Sequence, residues 1–256
     1  MTAVISNFQI FRALIIRDLM VRFGRHSLGF VWTIVEPMIL CTGVMVIWSF
    51  IHEPIIHGIP IIAFIFTGYM PLTLWRHLTN TMGRILRSNV NLLYHRRVSH
   101  VHLILTRSIL EFLSTTAAIA VIYFVLTSTG IIKPIVDYGL VLAGWLYVAW
   151  YFGSMGVLIG AMTEVWEPSE KFIQPFAYLQ LPISGTFLMV DWLPDYAQRL
   201  ILLNPSVHCF EMFRGGFFGP SIATHYDVWY ITAWSAFLSF VAAAALYRVR
   251  DRIQLT

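Results

Sequence analysis

The amino-acid sequence predicts an all-α integral membrane protein with six transmembrane helices, on three observations. Of its 256 residues, 58% are hydrophobic and 12% are charged. A soluble domain carries about 25% charged residues, so this chain cannot cover a water-facing surface. Several apolar runs approach or exceed the roughly 18 residues that mark a spanning helix. Finally, the segment from Arg76 to Arg107 carries Arg76, Arg84, Arg87, Arg96, Arg97 and Arg107 without one Asp or Glu, between two apolar runs. Lys and Arg beside a span are retained in the cytoplasm, which orients the whole chain.

Residues 1–29 read as a helix without Pro, in which Asp18, Arg22 and Arg25 fall on one stripe and Asp18 to Arg22 is a favourable i, i+4 pair. The rest of its surface (Phe8, Phe11, Leu14, Ile15, Leu19, Phe23) is apolar. That pattern suits an interfacial helix whose Arg side chains reach toward phosphates. Span one is 30–51, with Glu36 and Pro37 inside it. A turn free of Lys and Arg leads to span two, 59–75. Span three is 104–127, span four 138–162, and span five 172–190, the last with Pro175, Pro182 and Gly185 inside it. Residues 191–226 are too polar for another span and too apolar for a free loop. They read as two short re-entrant helices broken at Asn204-Pro205 and dipping into the outer leaflet, where protein or a water-filled cavity must cover the broken backbone. Span six is 228–247, and residues 1–256 form one membrane domain.

Six spans put both termini in the cytoplasm, together with all but three of the 17 Lys and Arg; Lys133, Arg199 and Arg214 fall outside. No cleavable signal peptide is expected in residues 1–30, where Arg12, Arg17, Asp18, Arg22 and Arg25 interrupt the apolar sequence. Cys41 and Cys209 give no disulfide framework.

The same features exclude several classes of function. The net charge of +4 sits between spans rather than on one soluble face, so no nucleic acid is expected as a partner. There is no HExxH and the histidines are scattered, so no metal site is expected. Ser154, within Gly153-Ser154-Met155-Gly156, has no His to act as base and reads as part of a small-residue packing set. Glu36 lies near the cytoplasmic end of its span and Glu111 about two turns into span three, neither with a counter-charge on its own helix, which argues against an ion-coupled carrier. No GxxxxGK[ST] is present, so any power for transport comes from another polypeptide. The run LRSNVNLLYHRR within 84–99 reads either as a short helix that docks a partner through an apolar knob and a basic rim, or as a solvated loop that sets topology.

Several segments in order along the chain resemble one family. RDLMVRFGRHSLGFVWTIVEPMIL (Arg17 to Leu40), GYMPLTLWR (Gly68 to Arg76), NVNLLYHRRV (Asn89 to Val98), ILTRSILEF (Ile104 to Phe112) and LNPSVHCFEMFR (Leu203 to Arg214) are similar to ABC-2 type permeases, the type V exporters. Among them the chain looks most like the membrane subunit of group 2 capsular polysaccharide exporters of Gram-negative bacteria. The chain departs from the pattern at His95-Arg96-Arg97, where relatives often have Pro.

The resemblance implies a multi-pass protein of the bacterial inner membrane that pairs with a second copy of itself and with two separate ATPase subunits. This chain would bind no cofactor; ATP and Mg would be used by the ATPase. The cargo would be lipid-anchored polysaccharide, handed to periplasmic and outer-membrane export proteins. The resemblance also implies a coupling helix over 84–99, with Arg87, Asn89, Asn91, Leu93, Tyr94, Arg96 and Arg97 at the ATPase contact. Other cargoes of the same class are O-antigen, teichoic acid or lipo-oligosaccharide. The alternative of another class is a membrane lipid-linked sugar transferase, an enzyme that would act without an ATPase.

Physical chemistry then suggests roles for residues in such an exporter. Arg22 and Arg25 can hold an anchor phosphate or acidic sugar by charge-assisted hydrogen bonds, or serve only as topology anchors. Trp32, Trp145, Tyr147, Trp150 and Tyr151 can line a conduit by stacking on sugar C–H faces, with Trp145 and Trp150 the deeper pair. The alternative is the ordinary aromatic belt, which suits Trp75 and Trp32. Glu36, next to the helix-breaking Pro37, is expected to pair with an Arg of the N-terminal helix or the basic segment. Asn204, Pro205, Glu211 and Arg214 are expected to tie the re-entrant helices together as an outer gate.

Overall fold

The computed structural model describes residues 2–23, 28–89 and 99–253. Helix α1 is Thr2–Phe23, α2 is Leu28–Ile51 with Pro37 inside it, and α3 is Ile61–Ser88. Between α2 and α3 a two-residue hairpin pairs β1 (Ile55–Ile56) with β2 (Ile59–Pro60) in antiparallel register. His57 and Gly58 both take positive φ at its tip, the conformation such tight hairpins need. Helix α4 is His100–Ser128, α5 is Tyr138–Val165 and α6 is Glu170–Ile183. Two short helices, α7 (Asp195–Ile201) and α8 (Pro205–Phe218), precede α9 (Val228–Ile253). Among the described residues, four helices are long and apolar enough to cross a bilayer: α2, α4, α5 and α9.

Helix α3 is the central post, packed against α2, α4, α5, α6 and α8. From Phe64 through Trp75 its side chains are buried, so its apolar character serves packing on all sides rather than contact with lipid. Trp75 is therefore core, not the interfacial ring expected from the sequence.

Helix α3 also overruns the expected span end at residue 75 by more than three turns. Leu78, Met82 and Ile85 continue the buried stripe at i, i+4, i+7 spacing, and no Gly or Pro after Pro71 stops the helix before Ser88 except Gly83, which an α-helix tolerates. At 28 residues it is roughly 42 Å long, more than the bilayer core requires. Arg84 and Arg87 thus belong to the last turns of α3 rather than to a separate helix over 84–99. The rest of that segment, including Asn91, Leu93, Tyr94, Arg96 and Arg97, lies outside the described residues, except for Asn89 and Ser99.

Two further boundaries differ from expectation. Helix α4 begins at His100 rather than 104, because Ser99 and His102 form a reciprocal N-terminal capping box. Helix α6 begins at Glu170 and ends at Ile183, not at 190. Gly185 adopts φ 85°, the left-handed conformation that terminates helices, one residue after the cap at Ser184. At 14 residues α6 is roughly 21 Å long, short of the bilayer core by itself.

Small residues bring helix backbones together around the post. A Cβ on Gly156 would meet Leu78 O of α3 at 3.1 Å, and one on Gly160 would meet Met82 O at 2.6 Å. Gly156 thus plays the packing part expected of it, while Ser154 bonds to Trp150 O and Ser239 Oγ.

Candidate functional site

The charged residues that the fold draws inside collect at two ends of the molecule. At one end, α1 meets the end of α3 and the start of α4. Leu14 of α1 is buried and Phe11 packs edge-on against His102, with ring centroids 5.0 Å apart. Asp18 lies 3.7 Å from Arg107 Nη1, and Arg107 Nε lies 3.2 Å from Glu111 one turn along α4. Glu111 is buried and also faces α3, with His77 Nδ1 at 3.3 Å and the Thr81 hydroxyl at 3.5 Å. Arg17 donates to Asn89 Oδ1 at 2.9 Å. Glu111 therefore does have a counter-charge on its own helix. Arg107 and Glu111 are an i, i+4 pair within α4, as they already were within the expected span 104–127. That spacing was visible in the sequence as the only available signal; Asp18, His77 and Thr81 gave none.

At the other end, the hairpin side, α8 runs through the interior with every residue from Pro205 to Phe217 buried. Arg214 is fully buried and donates to three backbone carbonyls in the turn after α6: Gly185 and Leu188 from Nη1, at 2.6 and 2.8 Å, and Thr186 from Nη2, at 2.6 Å. Its guanidinium also lies 4.4 Å over the Phe64 ring of α3. Glu211 accepts from the backbone N–H groups of Val190 at 3.2 Å and His225 at 3.0 Å. Asn204 caps α8 through Ser206 and donates to Ile183 O and Gln180 Oε1 of α6, while Pro205 occupies the first turn. His208 accepts from the Asp227 N–H at Nδ1, which leaves Nε2 to donate to Leu202 O, tying α7 to the start of α9. The four residues expected at an outer gate are thus brought together, with Asn204, Glu211 and Arg214 each bonding to backbone. His208, the carbonyls of Gly185, Thr186 and Leu188, and Gly68, where a Cβ would lie 2.6 Å from Arg214 Nη2, complete the set.

The expected conduit residues fall in three places. Trp145 and Tyr151 are buried in the chain's own core, where Trp145 donates to Thr116 Oγ1 at 2.9 Å and leans on Phe112 and Phe213. An aromatic ring deep in an apolar helix fits a core as readily as a lining, and in the single chain both rings are packed as core. Tyr147 and the exposed Trp150 face α9 through hydroxyls of Thr232 and Ser239. Trp32 and Glu36 are exposed on α2, which packs on α1, α3 and α4. Among the described residues Glu36 makes no ion pair, so its expected Arg partner is not found there. The side chains of Arg22, Arg25 and Arg87 lie outside the described set.

A family model described as ABC-2 type transporter matches residues 9–218. The chain is 33% identical to the capsule polysaccharide export inner-membrane protein CtrC of Neisseria meningitidis serogroup A, over 94% of this chain and 91% of that protein. It is 32% identical to the capsule polysaccharide export inner-membrane protein BexB of Haemophilus influenzae, over 87% and 84%. It is 22% identical to the polysialic acid transport protein KpsM of Escherichia coli, over 95% and 94%.

Proposed function

We propose, from the premise that this chain belongs to the ABC-2 type transporter family, that it is the permease of an ATP-driven exporter that moves lipid-anchored capsular polysaccharide from the cytoplasm across the bacterial inner membrane. The observation that carries this reading is likeness over nearly the whole chain to proteins whose names state capsule polysaccharide export. ATP hydrolysis is the work of a separate subunit, since this family supplies the membrane domain.

In this reading the chain crosses the membrane six times with both ends cytoplasmic. Helices α2, α4, α5 and α9 span it. Helix α3, and α6 with the turn that follows it, complete the set. The 191–226 region is re-entrant from the periplasmic side, and α1 lies in the headgroup layer. Two copies of the chain meet, and two ATPases dock on the basic segment through Arg87, Asn89, Asn91, Leu93, Tyr94, Arg96 and Arg97. A long α3 supports this, because it carries that segment clear of the bilayer core. Trp32, Glu36 and Trp150, exposed on the single chain, remain free to meet cargo or the second copy, and Arg22 and Arg25 hold its anionic anchor.

The test is the location of acidic polymer in a strain lacking the gene, extracted separately from the surface and the cytoplasm. Polymer trapped inside with none outside is the expected result. Normal surface capsule would remove this cargo, and loss from both compartments would favour a sugar transferase.

A further inference from the structure

Two consecutive residues of α1 reach the two flanks of segment 90–98. Arg17 holds Asn89, the residue that follows α3, at 2.9 Å, and the Asn89 amide also donates to Ile85 O in the last turn of α3 at 2.9 Å. Asp18 faces Arg107, on the second turn of α4, at 3.7 Å. Arg107 is the hinge of the set, because its other side meets Glu111 at 3.2 Å, and Glu111 reaches back to His77 on α3 at 3.3 Å. One chain of charged and polar side chains therefore passes from α1 through α4 to α3.

The contacts are close but not aligned as hydrogen bonds: Arg107 Nε and His77 Nδ1 are buried with no acceptor in line. At these two nitrogens attraction rather than aligned bonding makes the contact, while the Thr81 hydroxyl donates to Glu111 at 3.5 Å. If helix packing were the only need, apolar side chains would meet it without the desolvation that buried ions carry.

The geometry points to Asp18, Arg107, Glu111 and His77 as positioning residues that clasp α1, α3 and α4 into one lever. A push on segment 90–98 is then delivered to α1 and to both helices together. This inference rests on the reading of the chain as an ATP-driven permease. Arg107 and Glu111 do not touch cargo or nucleotide; they act through the helices they hold.

The test uses the permease–ATPase complex in membrane vesicles, with Arg107→Ala, Glu111→Gln, Asp18→Asn and the conservative Arg107→Lys. Spin labels at Met20→Cys and Leu105→Cys, both exposed positions on α1 and α4, report the separation of the two helices. Native Cys41 and Cys209 are buried and stay unlabelled. Arg107→Ala and Glu111→Gln are expected to assemble with the ATPase and hydrolyse ATP at a near-normal rate. Polymer exported per ATP should fall about tenfold, the size of a typical coupling energy, and the label distances should broaden. Asp18→Asn should do the same to a smaller degree, and Arg107→Lys should restore most coupling.

Unchanged export per ATP, or an unchanged label distance in Arg107→Ala, overturns the clasp. So does a parallel loss of assembly and export in all four variants, Arg107→Lys included. Absence of polymer export by the unmodified complex would count against the cargo reading instead, and the label distances would still decide the clasp.

Discussion

The two charged ends of the molecule solve the same problem in opposite ways. At the hairpin end, each buried ion is met by backbone: Arg214 by three carbonyls and Glu211 by two amides. At the other end, charged and polar side chains are met by side chains drawn from three helices, Asp18 of α1 to Arg107 and Glu111 of α4 to His77 of α3. Backbone partners belong to turns that cannot rearrange without unfolding, so the first arrangement fixes a shape. Side-chain partners can slide and re-pair as helices shift, so the second suits parts that move together. Glu211 and Arg214 stand one turn apart on α8, yet the ion pairs do not include them as a pair; each is committed to a separate loop.

The largest expected effect is at the fixed end. Arg214→Ala would leave three carbonyls without donors and Glu211 buried without its nearby cation. Breaking a buried charged arrangement from one side costs about 3–5 kcal/mol. The purified variant should melt far below the parent or fail to accumulate in membranes, as read by thermal unfolding in detergent and by immunoblot. Normal accumulation and melting would mean that the broken-helix region does not depend on this cation.

A smaller loss is expected from Gly68→Ala. A methyl group there would lie 2.6 Å from Arg214 Nη2 and closer still to Thr186 O. Overpacking of this kind costs roughly 1–3 kcal/mol. Because backbone carbonyls cannot turn aside, the guanidinium should be displaced, and Gly68→Ala combined with Arg214→Ala should cost less than the sum of the two. Strict additivity in that double-mutant cycle would show that Gly68 of α3 and Arg214 of α8 are independent.

The smallest effect is expected in the core between the ends. Trp145→Phe keeps the ring against Phe112 and Phe213 but removes the donor to Thr116. Interhelical hydrogen bonds in membrane proteins are worth about 0.6 kcal/mol on average. Melting should drop by a degree or two with export unchanged. A large export defect with normal stability would restore Trp145 as a conduit residue and argue against its burial in the working state.

Much of the architecture could be read from composition and patterning. The ends of α2 at residue 51, the starts of α5 at 138 and of α9 at 228, and the break at Asn204-Pro205 coincide with apolar runs and with local turn chemistry. The misplaced boundaries have a common cause. Hydropathy ends a span where charge begins, but a helix ends where its backbone stops, so α3 runs on past Arg76 to Ser88 and α6 stops early at Gly185.

The site residues divide on similar lines. Asn204, Pro205, Glu211 and Arg214 stood out because polar groups interrupt an apolar stretch, and the fold gathers them. Their partners did not stand out, since a backbone carbonyl at Gly185 or Thr186 has no mark in the sequence. Glu111 was visible but was read without Arg107, because Arg107 was counted with the basic segment although the expected span 104–127 already held both residues at i, i+4. Trp145 and Trp150 look alike in sequence, and only packing separates the buried ring from the exposed one.

The central claim is that this chain is the membrane half of a powered exporter, and the most direct measurement is its composition when purified from its own membrane in mild detergent. The account predicts a second polypeptide in equal amount that hydrolyses ATP, with the hydrolysis retained by the complex and absent from this chain once the partner is stripped away. A chain that purifies alone and transfers sugar to a lipid carrier without ATP would contradict it.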